Sequence, residues 1–245
     1  MAKQRDYNQE IKDQQDSKYC YHFDSNVMHP FILRSFIPFF RKGNMLELGS
    51  YRGDFTVRLQ EYFDDITCVE ASSDAVAEAE KKIRGNVKFI TTVFNDAVLS
   101  EKYDNIVLVH VLEHIEEPVT LLKKIRAEWL ADNGRLFLVC PNAHAPSRQI
   151  AVHMGLLNNV TDITDSEARH GHRITFTAKT LEKTVKSSRL HIIHRSGIFF
   201  KAFANFQWDM LLHTDIISDK YLEGCYELGK KYPDLCSSIF FVCGK

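Results

Sequence analysis

Apolar side chains fall in short runs along this chain, separated by polar segments of a different period. Residues 44–48 (NMLEL), 66–70 (ITCVE), 87–91 (VKFIT), 105–111 (NIVLVHV) and 134–140 (GRLFLVC) read as strands. Between them, residues 55–62, 75–83 and 118–130 space their apolar positions as helices do. Strand alternating with helix implies βαβ units. Strands apolar throughout, such as NIVLVHV, imply a parallel sheet covered on both faces. Past Cys140 the rhythm changes. Residues 141–171 are polar, His-rich and irregular, 177–187 read as a helix, 191–196 as a strand, 203–232 as mixed and helical, and 237–243 (SSIFFVC) as a last strand. This tail predicts an antiparallel edge hairpin that closes a seven-stranded, mostly parallel sheet with one antiparallel strand. Residues 1–40 pass from a polar lead to an aromatic, helical cap.

Composition narrows the possibilities. A chain of 245 residues, 44% hydrophobic and 26% charged, can bury a sizeable core without disulfides or a structural metal. A net charge of -1 and a pI ≈ 6.8 lack the basic footprint of a nucleic-acid binder, so no nucleic acid is expected as a partner. The first twenty residues are polar, with no apolar core of a secretory signal. No apolar run approaches the roughly 18–20 residues that span a bilayer. A cytoplasmic protein without membrane attachment is expected. The six cysteines form no CxxC pair, and Cys68, Cys140 and Cys243 sit in strand-like runs as small hydrophobes.

Ligands of an open parallel sheet bind beyond the carboxyl ends of its strands. The first strand runs into Glu47-Leu48-Gly49-Ser50-Tyr51-Arg52-Gly53, whose glycines let the backbone turn tightly and approach a ligand. A helix from near Asp54 then points its N-terminus at the same place. The spacing is not that of the dinucleotide fingerprint G-x-G-x-x-G. The second strand ends in Val69-Glu70, followed by Ala71. A carboxylate there either accepts both hydroxyls of a ribose or simply meets solvent. The third strand leads to Val93-Phe94-Asn95-Asp96-Ala97, where helix capping by Asp96 stands beside any ligand role.

Glu47, Gly49 and Gly53 resemble motif I of class I S-adenosylmethionine-dependent methyltransferases, E/D-x-G-x-G-x-G, with Tyr51 in place of the central glycine. The run LEHIEEP at 112–118, the amphipathic helix after it and the segment NGRLFLVCPN are similar to the post-motif region of ubiquinone-biosynthesis-type and related small-molecule methyltransferases. The resemblance spans roughly residues 40–200. It implies a Rossmann-like α/β fold, bound S-adenosylmethionine and a substrate pocket above strands four and five. It further implies Glu70 as the ribose ligand and the turn carrying Phe94, Asn95 and Asp96 beside the adenine. Glu47, Gly49, Ser50, Tyr51, Gly53, Ala71 and His110 are the other cofactor residues expected. Some ubiquinone-type enzymes carry a glutamate three places before the Glu-His pair, and that carboxylate has been linked to a divalent metal. His110 stands there in this chain, and Glu113-His114 also supports the loop in metal-free relatives, so no metal is expected.

Methyl transfer from a sulfonium is an in-line displacement, in which the protein mainly positions the nucleophile, and a hydroxyl nucleophile also needs a base. His172, in Arg169-His170-Gly171-His172-Arg173 ahead of Phe176-Thr177, resembles the histidine of an H-x-x-x-F-[ST] segment that faces substrate in many relatives. It joins His114 and Asn142, at the end of strand five, as a catalytic candidate; bracing of the loop is the other reading of His172. Tyr19 and Tyr21, beside His22, lie in the segment that in the family folds over the methionine end of the cofactor. Their rings attract a sulfonium or else pack the cap. The chain thus reads as one domain, 1–245, with a cap or lid over 1–40, a cofactor-binding half over 41–141, and a substrate-facing insertion with the C-terminal strands over 142–245. The expected activity is methyl transfer to an oxygen or nitrogen of a small metabolite, with S-adenosylhomocysteine released, by a monomer or homodimer. Two alternatives keep the cofactor: cyclisation of its aminobutyrate chain with release of methylthioadenosine, and binding without catalysis. The product distinguishes all three.

Overall fold

The computed structural model describes residues 6–9 and 21–245. A π-turn at Asp24–Met28 leads into α1 (His29–Phe36) and a short 3-10 turn at Ile37–Phe39. There follow β1 (Met45–Leu48), α2 (Thr56–Leu59), β2 (Ile66–Glu70), α3 (Ser73–Lys82), β3 (Val87–Thr91), β4 (Tyr103–Val109), α4 (Pro118–Lys124) and β5 (Leu130–Pro141). The remainder supplies α5 (Pro146–His153), α6 (Asp165–Arg169), α7 (Ala178–Ser187), β6 (His191–Ile198), α8 (Asn205–Leu211), α9 (Asp219–Lys231) and β7 (Ser238–Gly244). The sheet has seven strands in the order β3-β2-β1-β4-β5-β7-β6, and β7 alone runs against its neighbours. This is the Rossmann-like arrangement expected.

The last two strands form the antiparallel edge hairpin expected, in an order that the sequence did not specify. β7 is inserted between β5 and β6, and β6 takes the edge. Burial explains the order: β7 (SIFFVCG) is buried at every position, whereas the first six residues of β6 (HIIHRS) alternate between exposed and half-buried, as an edge strand can. Two predicted helices are also shorter. Residues 55–62 hold one helical turn, α2, flanked by hydrogen-bonded turns. The helix expected over 118–130 passes into a π-turn at Ile125–Trp129 that drives Trp129 fully into the core.

The pleat of the sheet separates two cores. Leu136, Leu138 and Cys140 of β5 face α4 and α7, with Leu121, Leu122, Leu181 and Val185. Phe137 and Val139 face the opposite way, onto α1, α2 and α9. Phe36 of the cap is fully buried there, its ring 4.8 Å from Phe137 and 5.1 Å from Phe240. The cap is therefore an integral wall of the second core. Its entry is bolted to α8: Phe23 N and His22 N donate to the Asp209 carboxylate at 2.8 and 3.2 Å, and the Phe23 ring stacks on Trp208 at 5.1 Å. Among the described residues, no helix is long and apolar enough to cross a membrane.

Candidate functional site

One cavity of about 690 Å³ opens above the carboxyl ends of β1, β2, β4 and β5, within the roughly 300–1,000 Å³ usual for small-molecule sites. Its floor begins at the glycine loop. Gly49 and Gly53 have φ of +79° and +77°, and Tyr51 takes +47° where a glycine is expected. A Cβ on Gly49 would lie 2.6 Å from Val111 Cγ2, so the loop passes directly under the end of β4. Tyr51 N donates to Glu70 Oε2 and Ser72 N to Glu70 Oε1, each at 2.9 Å. These bonds tie the ends of two neighbouring strands and aim the carboxylate at the cavity. Burial raises the pKa of Glu70, and the backbone amides of Ser72, Tyr51 and Ala71 oppose that shift. Glu47, behind the loop, accepts from Thr56 Oγ1 at 2.6 Å. Burial pushes its pKa up to about 7.

Gly49, Ser50, Tyr51, Glu47, Glu70, Ala71, Phe94, His110 and Tyr21 all line this cavity. Gly53 does not; its Cα packs on α3, where a Cβ would meet Ala79 and Ile83 at 2.9 Å. Asn95 and Asp96 are exposed on the turn outside the cavity. The turn is held by Lys124 Nζ, which donates to the carbonyls of Phe94 and Asn95 at 3.1 and 2.7 Å. No helix follows that turn, so Asp96 has none to cap. Tyr19 lies outside the described residues. Beside the glycine loop and the cap, Ser50 Oγ and His29 Nδ1 are buried without a hydrogen-bond partner among the described residues. Burial lowers the pKa of His29 to about 4, so its imidazole is neutral at pH 7.

The far wall is built from residues distant in sequence. His110 ends β4 at φ +55° and shares a hydrogen bond of 3.2 Å with Ser238 Oγ of β7. Burial holds its pKa down to about 3. The carbonyl of Glu113 accepts from Arg173 N and Ile174 N at 2.8 and 3.2 Å, which folds the 170–174 segment onto the 112–114 turn. The rings of His114 and His172 thereby meet edge to face at 4.6 Å. The Glu113 carboxyl is fully buried beside them, both oxygens without a hydrogen-bond partner, and burial raises its pKa to about 8. One potential ligand atom from each of Glu113, His114 and His172 lies within 4.8 Å of the others, a cluster the expectation of no metal did not foresee. His172 is half-buried, and burial lowers its pKa against the opposing pull of Glu167.

Asn142 needs a correction. It lines the cavity, but its amide is engaged inside the protein: Nδ2 donates to the carbonyls of Asp234 and Cys236 at 2.9 Å, and Oδ1 accepts from His144 N at 3.0 Å. It braces the start of the β5–α5 connection, with one lone pair of Oδ1 left over. The roof over residues 141–171, irregular by sequence, is organised by Arg148. Its guanidinium donates to the carbonyls of Val160 and Asp162 and pairs with Glu167. Glu167 also closes a capping box with Thr164. Sequence reasoning missed His29, Arg148 and Lys201 on this wall. The ranking rested on motif spacing, and each of them stands alone in sequence.

A family profile described as a methyltransferase domain matches residues 21–194. Among solved structures, a possible histamine N-methyltransferase from Thermotoga maritima aligns with a TM-score of 0.63 at 12% identity, over 96% of this chain and 97% of that one. A methyltransferase dependent on S-adenosylmethionine from Archaeoglobus fulgidus aligns with a TM-score of 0.58 at 15% identity, over 98% and 100%. Coclaurine N-methyltransferase bound to N-methylheliamine and S-adenosylhomocysteine aligns with a TM-score of 0.60 at 16% identity, over 90% and 70%. At these identities the likeness to the solved structures is one of fold. A search of curated protein sequences finds no match.

Proposed function

The chain belongs to the methyltransferase-domain family, and on that premise we propose that it moves the methyl group of S-adenosylmethionine to an oxygen or nitrogen of a small metabolite. The observation that carries this reading is the meeting of the glycine loop and Glu70 on one cavity, joined by the bond from Tyr51 N. A carboxylate at that place suits a ribose diol, because its two oxygens keep lone pairs after accepting the two amides. Phe94, farther along the same wall, offers a face to a flat base. The unpartnered Ser50 Oγ and His29 Nδ1 suit a polar ligand such as the aminobutyrate end of the cofactor. When bound, the cofactor supplies an electrophilic methyl on a sulfonium.

The chain's own residues position the acceptor, exclude water and take up a proton. His172 is the proposed base: a neutral imidazole at pH 7 has a lone pair for the proton of an acceptor hydroxyl or ammonium. His114, edge-on to it, holds the ring in place. Division of labour follows the chain. Residues 1–40 close one side, 41–141 hold the cofactor, and 142–245 supply the substrate wall, all within one domain. A small-molecule partner, a cytoplasmic location and a monomer or homodimer complete the reading, with no nucleic acid involved. Incubation with S-adenosylmethionine, alone and with a metabolite extract, tests it by mass analysis of nucleosides and acceptors. S-adenosylhomocysteine appearing together with a methylated acceptor is expected. Methylthioadenosine, or no turnover despite binding, would replace methyl transfer by cyclisation or by a binding role.

A further inference from the structure

Beyond the end of β4 the cavity reaches a buried ammonium. Lys201, just past β6, is 6% exposed and lines the cavity. Its Nζ donates to Asn205 Oδ1 and lies 4.9 Å from the centroid of the Phe23 ring. Asp24, which also lines the cavity and acts on this ammonium by charge, is bridged to it through Asn205: Oδ1 accepts from Asn205 Nδ2 at 2.8 Å and Oδ2 from Tyr21 N at 3.2 Å. Among the described residues, no carboxylate oxygen comes within 4.0 Å of Lys201 Nζ. An ammonium has three donors, and among the described residues only Asn205 Oδ1 accepts from this one. Asp24 offsets the charge through space without touching it, and a buried ammonium with no contacting carboxylate is costly to hold and suited to receive an anion. The other cation on the cavity wall, Arg148, is consumed by Glu167 and two carbonyls.

A second, independent feature concerns the way out. Ala151, Leu157 and Phe206 line the same cavity, and large apolar side chains beside them in sequence stay in solvent: Met154, Leu156 and Met210 are 66–70% exposed. The cavity thus has a cationic end at Lys201 and an apolar mouth. We propose that Lys201 anchors the single anionic group, a carboxylate or phenolate, of an amphipathic acceptor whose apolar body leaves past Ala151, Leu157 and Phe206. The proposal rests on the methyltransferase reading of the same cavity. A sulfonium and the Lys201 ammonium repel each other in a low-dielectric space, and an anion between them relieves both.

Calorimetry on the full chain saturated with S-adenosylhomocysteine tests this, with octanoate and octanol as probes. Octanoate is expected to bind at least tenfold more tightly than octanol. Lys201→Met is expected to erase that preference, and Lys201→Arg to restore part of it. If S-adenosylhomocysteine itself does not bind, the cofactor reading fails. If it binds and octanoate is no tighter than octanol, or if folded Lys201→Met keeps the preference, the anchor is wrong and the cofactor reading stands. Protection mapping gives the same decision without a variant, should Lys201→Met not fold. Octanoate, and not octanol, is expected to shield Lys201 from reductive methylation read by peptide mass spectrometry; equal labelling overturns the proposal.

Discussion

The two sides of the cavity are built in different ways. The side formed by β1, β2 and their loops is made of backbone: two tight turns, positive φ at Gly49 and Tyr51, and amides pointing at Glu70. Its parts lie within a stretch of some thirty residues. The opposite side is made of side chains from the cap, the 112–114 turn, the Arg148 roof, β6–α8 and β7, held by single long-range bonds. A backbone-built wall tolerates exchange of its side chains but not of its turns. A side-chain wall fails at single residues and responds to pH, because it buries the Glu113 carboxyl without a hydrogen-bond partner among the described residues, whereas Glu70 and Glu47 on the other side are met by amides and by the Thr56 hydroxyl.

The largest effect expected is on the side-chain wall, at Glu113. Its carboxyl is raised from 4.5 to about 8 by burial, so the unfolded chain loses the proton at a lower pH than the folded one. Stability from this group is full below about pH 4.5 and is lost as pH rises towards 8, then stays flat. Glu113→Gln should remove this slope. Urea unfolding at pH 5 and pH 9 should show the variant gaining on the wild type by roughly 3–5 kcal/mol, the scale of the shift. An equal difference at both pH values would mean that Glu113 is ionised in the fold.

Next in size is the bolt between cap and α8. Asp209→Ala leaves Phe23 N and His22 N without their charged acceptor and should cost about 3 kcal/mol, given roughly 1.5–3 kcal/mol for each such bond. The loss should appear as faster amide exchange over residues 21–36 before any change in the sheet. Uniform destabilisation would show that the cap and the sheet unfold together. From Tyr21 onward the cap segment is docked by these bonds.

Smaller effects are expected on the backbone wall. Glu70→Ala should weaken binding of S-adenosylmethionine by roughly 1.5–3 kcal/mol and, because it leaves Tyr51 N and Ser72 N without their acceptor, should also lower thermal stability. Unchanged affinity in a folded variant would remove Glu70 from the site. Tyr51→Gly should matter least. It frees a residue held at φ +47° and keeps the amide that serves Glu70, so affinity should stay within about threefold. A tenfold loss would show that the ring, and not the backbone, is what the loop offers.

This contrast explains what was legible beforehand. Strands β2 and β3 appear at the residues expected: β2 is buried at four of its five positions, and β3, at the sheet edge, exposes Lys88 and Thr91 and half-buries Val87, Phe89 and Ile90. Gly49, Ser50, Tyr51, Glu70 and Phe94 were readable as a group because strand ends announce where a cavity must open. Gly53, Asn95 and Asp96 lie beside the cavity and not on its lining, a distinction that motif spacing does not carry. Asn142 stood at the right strand end, but its amide bonds to Asp234 and Cys236, a choice made far along the chain.

By itself the sequence determined the alternation of strand and helix, the burial of both sheet faces and the glycine turn beneath the cavity, all consequences of local period and local steric freedom. Tertiary structure alone decided the rest. It inserted β7 between β5 and β6, set His114 against His172 through the Glu113 carbonyl, and brought Lys201 to the cavity beside Asp24 and Asn205. The reason is physical. A turn or a strand is stabilised by neighbours in the chain, whereas a buried ion takes its environment from whichever distant segments the packing of two cores happens to bring beside it.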